Sequence, residues 1–164
     1  MVTTRRLQHE ELPSVWALSI VPHIGVTADP SAPVPLPGSD APPTTFPDLA
    51  DPDRFFVQAG GDFLVADFRG YVVGMGGFRP NERGQAEVLR VRVHPALRRR
   101  GIGQALMRSL EERAAQLGFR EAHLNTATNQ PEAMAFYQSM GYQEIGREHQ
   151  LSWTWTLVHY TKIL

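Results

Sequence analysis

The chain has 164 residues, 42% hydrophobic and 20% charged, with a net charge of −1, enough for one soluble domain with its own core. That balance argues against a nucleic-acid or membrane partner, although Arg90, Arg92, Arg98, Arg99 and Arg100 crowd together and mark where an anion would be met. With no cysteine, disulfides, cysteine nucleophiles and thiolate metal sites are excluded, and no metal is expected.

Residues 2–7 read as a short strand. No apolar run follows Arg5 and Arg6, so a signal peptide is not expected and the cytoplasm is the expected compartment. An amphipathic helix follows over about residues 10–20, with Leu12, Val15, Trp16 and Ser19 at helical spacing. Residues 22–52 then break the pattern, holding nine of the thirteen prolines. Proline at that density blocks helix and sheet ladders. The segment reads as a surface loop or an active-site lid, with Ile24, Leu36 and Phe46 as sparse apolar anchors.

Asp51, Pro52 and Asp53 open a second helix that stops at Gly60 and Gly61. Two β runs, 62–68 and 71–78, flank Arg69-Gly70, a hairpin signal. A third run, 86–94, is stopped by Pro95. Ile102, Ala105, Leu106, Leu110, Ala114 and Leu117 form a helical stripe closed by Gly118. A strand over 121–126, a helix over 130–140 closed by Gly141, and strands over 143–149 and 153–163 complete the chain. Asn129 followed by Glu132 reads as a capping box for that last helix, or as a ligand contact.

The order β-α-α-β-β-β-α-β-α-β-β predicts a single α/β domain over 1–164: a mixed sheet with helices on its faces, in which residues 86–126 form a parallel βαβ crossover. In the last strand Trp153, Trp155 and Leu157 share one face, and Val158 and Tyr160 lie on the other. That is more apolar surface than an edge strand shows to water. The strand is therefore either buried in its own sheet or paired with a second subunit in a homodimer.

Arg98-Arg99-Arg100-Gly101-Ile102-Gly103 sits between a strand and a helix start. Glycines let backbone approach an anion, the first helical N–H groups point at it, and the helix dipole adds positive potential. Three arginines complete a diphosphate site, unless the turn is only a basic solvated loop. A Walker A loop is excluded because no Gly-Lys-Ser/Thr follows. A dinucleotide fingerprint is excluded because position 106 is leucine.

Residues 86–107 resemble the main cofactor motif of the GNAT superfamily of N-acetyltransferases, whose core Arg/Gln-x-x-Gly-x-Gly/Ala is matched by Arg98, Gly101 and Gly103. A second block resembles that family's Ala-x-x-Phe-Tyr-x-x-x-Gly-Phe, through Ala133, Phe136, Tyr137, Gly141 and Tyr142. The resemblance covers residues 62–164 well, 1–20 passably, and 22–52 not at all. Two departures stand out. Gln130, preceded by Asn129, replaces the asparagine frequent at that place, and three arginines stand where one is usual.

The resemblance implies a mostly antiparallel sheet of six to seven strands with one splayed parallel pair, flanked by about four helices. It implies acetyl-CoA as cosubstrate and direct transfer, in a ternary complex, to the primary amine of a small molecule. A peptide or protein N-acetyltransferase, or a non-catalytic acyl-CoA-binding module, is the alternative. The cofactor contacts it implies are main-chain at Val91 and Val93, the turn Arg98, Arg99, Arg100, Gly101, Ile102, Gly103 and Gln104, and Asn129, Gln130, Phe136 and Tyr137. Tyr137 is the implied acid, with a packed core aromatic as the other reading. Glu87 is the candidate base: strand alternation places Glu87, Leu89, Val91 and Val93 on one face. An ion pair with Arg83 is the other reading of Glu87. His94 is a rival base whose place beside Pro95 suggests a turn role.

Overall fold

A computed structural model of the protein describes residues 1–21 and 28–164. It is a single seven-stranded sheet in the order β1-β2-β3-β4-β5-β7-β6. The strands are β1 (Val2–Arg6), β2 (Asp62–Phe68), β3 (Tyr71–Pro80), β4 (Ala86–Val93), β5 (Glu121–Ala127), β6 (Gln143–Glu148) and β7 (Leu157–Ile163). The helices are α1 (Leu12–Ser19), α2 (Ile102–Gln116) and α3 (Pro131–Ser139). The helix expected after Asp51 is a single π-helical turn, Asp53–Val57. Among the described residues no helix is long and apolar enough to cross a membrane.

Local chemistry explains the elements. Arg69 (φ 54°) and Gly70 (φ 87°) both take the left-handed conformation that a tight hairpin between right-twisted strands requires. α2 buries Ile102, Leu106, Met107 and Leu110 against the sheet. It approaches closely because β3 carries Gly76, where an added Cβ would lie 3.0 Å from a Leu110 methyl. Buried Asp62 accepts from Arg6 Nη2 at 2.9 Å and Arg113 Nε at 2.8 Å, tying β1, β2 and α2 together.

The two faces hold separate cores. α2 and α3 cover one, with Leu106, Leu110, Ala133 and Tyr137 packed on Val88, Val91 and Leu124. α1 and the turn Asp53–Val57 cover the other, with Val15, Leu18, Leu49 and Phe56 around Phe63 and Met75. Residues 28–52 are fastened to that second side and to the end of β4. Trp16 Nε1 donates to the Leu49 carbonyl at 2.7 Å, Ser39 N–H to Pro13 at 3.0 Å, and Asp29 N–H to Pro95 at 2.9 Å. The anchors Leu36 and Phe46 pack on the α1 side as expected; Ile24 lies outside the described residues.

Three expectations are revised. Trp153 and Trp155 precede β7, in the connection from β6, where their rings stack 4.4 Å apart. β7 is also not an edge: it pairs with β5 on one side and β6 on the other, and Val158 and Tyr160 are wholly buried. Its apolar character is thus accounted for inside one chain, which removes the ground for a dimer through this strand. Asn129 does not cap α3 either. The N-cap residue is Gln130, and its side chain makes no capping bond.

Candidate active site

β4 and β5 are the one parallel pair among the described strands, and they stay in register only at Ala86–Ala122 and Glu87–His123. Beyond Glu87 they part. The cause lies in β4 itself. Gly77 pairs with Leu89 and Met75 with Arg92, so the single residue Gly76 faces both Arg90 and Val91. Arg90 takes a left-handed φ of 63° to make this bulge, which bends the strand and re-aims its side chains.

The bulge overturns the expected alternation. Ala86 and Val88 before it, and Val91 and Val93 after it, all join the α2–α3 core. Glu87 therefore does not share a face with Val91 and Val93; it lies with Leu89, which packs on the α1 side. Arg90 and Arg92 also lie on the α1 side, their guanidinium carbons 4.3 and 5.7 Å from the Phe46 ring centroid.

Two neighbouring cavities follow the parting. The first, about 350 Å³, lies at the start of α2 and is lined by Ala28, Val93, Leu97, Arg98, Arg99, Gly101, Ile102, Gly103, Gln104 and Phe136. Gly101 adopts φ +79° as the N-cap of α2. The first intrahelical bond there is Ala105 N–H to Gly101 O at 3.0 Å, so the N–H groups of Ile102, Gly103 and Gln104 have no partner within the helix. Arg98 is buried, with Nε and Nη2 each 3.4 Å from the Val93 carbonyl. Arg100 is exposed and lines neither cavity.

The second cavity, about 340 Å³, fills the gap between β4 and β5. Val91, Asn129, Gln130 and Tyr137, the cofactor contacts that the resemblance implies, line it together with Phe46, Arg92, Asn125 and Trp155, which were not named among those contacts. The available signal was the arginine–valine alternation over residues 90–93, since cations in a buried strand need a reason to be there. Tyr137 is buried between the rings of Phe136 and Tyr142, at 5.3 and 6.0 Å. Its hydroxyl has no hydrogen-bond partner among the described residues. Burial pushes its pKa up to about 12, and the Arg92 cation works against that rise.

The two candidate bases differ. His94 is fully buried; its Nδ1 accepts from Ala96 N–H at 3.0 Å, so Nε2 carries the proton and donates to the Pro33 carbonyl at 2.7 Å. Burial lowers its pKa. This is a neutral turn residue that pins the loop over β4. Glu87 does not pair with Arg83. Both its oxygens lie 2.8 Å from His123 Nδ1, and Asn81 Nδ2 donates to one of them at 3.1 Å. His123 Nε2 continues to His159 Nδ1 at 3.1 Å, and His159 Nε2 to Glu148 at 3.4 Å. The result is a hydrogen-bonded chain from the base of the parting strands to the exposed strand β6.

Known proteins match this chain in sequence and in fold. A family model described as Acetyltransferase (GNAT) family matches residues 31–142. The mouse protein named Probable N-acetyltransferase family 8 member 5 is 32% identical over 124 residues, 70% of this chain and 55% of that protein; the chain spans about half the length of the curated relatives it matches. A Staphylococcus aureus GNAT acetyltransferase structure superposes with a TM-score of 0.76 at 15% identity, covering 99% of both chains. The structure of yncA from Salmonella typhimurium with its cofactor acetyl-CoA gives 0.71 at 18% identity, covering 99% of this chain and 93% of that one. With more than half of its length matched by the family model, this chain belongs to the GNAT family of acetyltransferases.

Proposed function

We propose that this chain transfers an acetyl group from acetyl-CoA to a primary amine of a small molecule. The observation that carries the reading is the parted β4–β5 pair, with a glycine turn at one end and a buried phenol lining the gap. The groups present fit acetyl-CoA. The N–H groups at the start of α2, which have no partner within the helix, and the cations Arg98 and Arg99 suit its diphosphate. Past the bulge, β4 has no strand on its β5 side among the described residues. The Val91 and Val93 carbonyls accept from arginine side chains, at 2.9 Å from Arg92 and 3.4 Å from Arg98. An amide-bearing arm can pair there as an added strand would.

Acetyl-CoA supplies the acetyl group as a thioester, whose departing sulfur resembles a thiolate of pKa about 8.5. Tyr137 holds the proton that this sulfur needs, and with its pKa near 12 the phenol stays protonated across the neutral range. An alkylammonium of pKa about 10.4 must first give up one proton, and a second leaves the nitrogen as the amide forms. Glu87 takes the first through a water and hands it along His123 and His159 to solvent; the second restores Tyr137. The net products are the amide, the free thiol and one proton. An acceptor site roofed by Phe46 of the proline-rich loop suits a small amine better than a peptide, which needs an open groove.

The test is thiol release from acetyl-CoA over a panel of amines, with Tyr137→Phe as the comparison. The variant should lose about a hundredfold in turnover and keep its CoA affinity, because only proton delivery is removed. Wild-type turnover in Tyr137→Phe would return this residue to core packing.

A further inference from the structure

Arg92 has no structural explanation in the fold. It is 5% exposed, and its Nε is shielded from solvent with no hydrogen-bond partner among the described residues. Its Nη1 donates to the Val91 carbonyl at 2.9 Å. No carboxylate reaches it. Burial and the cations Arg90 and Arg98 oppose its charge, and only the Tyr137 phenol, which is no carboxylate, favours it. The nearby acid, Asp48, is occupied elsewhere: it accepts from Arg90 at 2.9 and 3.2 Å and from Arg79 at 3.1 Å. Residues 22–27 contain no acid at all. A buried guanidinium without a counter-charge is strongly unfavourable, and this one lines the cavity between the parted strands.

Building on the acetyl-transfer reading, we propose that the acceptor is an amino carboxylate with an apolar side chain, and that its carboxylate binds the Arg92 guanidinium in the β4–β5 cavity. The anion cannot come from acetyl-CoA, because its phosphates belong at the Gly101 turn and the remainder, down to the thioester, is uncharged. Arginine presents a planar fork that matches a carboxylate, and Nε belongs to that fork. Asp48 holds Arg90 away from this role while leaving Arg92 available. Phe46, Leu89, Trp155 and Leu157 supply the apolar wall of the same cavity, where an aliphatic or aromatic side chain fits. A simple alkylamine would leave the cation unpaired, and a peptide amide would offer no anion next to the amine.

The experiment separates binding from chemistry. N-acetyl-leucine, N-acetyl-methionine and N-acetyl-phenylalanine, the products such acceptors would give, are compared with their carboxamides by tryptophan fluorescence, since Trp155 lines the site. At least one acid should bind tenfold or more tighter than its amide, about 1.4 kcal/mol. Arg92→Met should erase that difference in a chain that still binds CoA, while Arg92→Lys, which keeps the charge without the fork, should retain part of it. Equal binding of acids and amides by the wild type, or a preference that survives in Arg92→Met, overturns the proposal. An acid preference without thiol release from acetyl-CoA would defeat the transfer reading alone. Thiol release with acids and amides used equally would defeat the carboxylate site alone.

Discussion

Replacing Arg92 by methionine should make the protein more stable, which few substitutions of a buried residue do. Burial, together with the cations Arg90 and Arg98, holds the Arg92 pKa down to about 10. The fall from a guanidinium's ordinary value corresponds to about 3 kcal/mol against the charged form. Arg92 is charged at pH 7, so the whole cost is present there, and it is relieved only as the pH rises through about 10. Methionine has a similar reach, no charge, and the flexibility to fill an irregular space. The substitution forfeits the bond to the Val91 carbonyl, about 1 kcal/mol, and the contact with the Phe46 ring, about 0.5 kcal/mol. A net gain of about 1 to 2 kcal/mol remains, or a rise of roughly 4 °C in Tm for a chain of this size. Thermal unfolding followed by circular dichroism at pH 7, with a urea titration of unchanged slope, measures it. The gain should hold up to about pH 10 and narrow only above it. A Tm lowered by several degrees would refute the reasoning, since it would mean that Arg92 is held by a stabilising partner and is not waiting for a ligand.

Gly101→Val places a β-branched residue at φ +79°, where the surrounding space is open but the backbone conformation disfavours side chains. CoA affinity should fall tenfold or more, about 1.4 kcal/mol, and an unchanged Kd in a folded variant would remove the diphosphate from this turn. Residues 28–50, which contribute Ala28 to one cavity and Phe46 to the other, should exchange their amide hydrogens more slowly once CoA and acceptor are both bound. Identical exchange with and without ligands would leave the segment a surface loop and not a lid.

Much of this architecture is legible in the sequence because periodicity and punctuation report on local causes. The hairpin at Arg69-Gly70, the helix closed by Gly118 and the strand stopped by Pro95 each have a turn chemistry that a short window contains. The misplacement of Trp153 and Trp155 has a physical reason of the same kind. Alternating tryptophan and threonine is the signature of a strand, but no partner strand extends beyond Leu157 on the β5 side, where the register ends at Ala127. The two rings stack on each other instead. Asn129 and Glu132 likewise satisfy a capping pattern, yet Pro131 opens the helix one residue later than that pattern requires. Local rules propose these features, and the surrounding sheet decides between them.

The site depends on a feature that no local rule announces. Strict alternation along β4 puts Glu87 and Val91 on one face, and a single extra residue at Arg90 puts them on opposite faces. Bulges favour glycine where φ is positive, so an arginine there gives a sequence reader no warning. Its consequences are functional. The bulge keeps Val88 and Val91 in the same core while turning Arg90 and Arg92 towards Phe46. It also bends β4 away from β5, which opens the cavity that Tyr137 lines from the α3 side. In the proposed transfer, a base on the α1 face and a phenol on the opposite face act from the two sides of the parted sheet: the amine loses its proton on one side, and the departing sulfur receives a proton from the other. Had alternation held, Glu87 would lie on the same side as Tyr137, with the bound thioester between it and any amine arriving from the α1 side. The bulge therefore does more than perturb a strand. In the proposed reaction it sets the direction from which each proton moves.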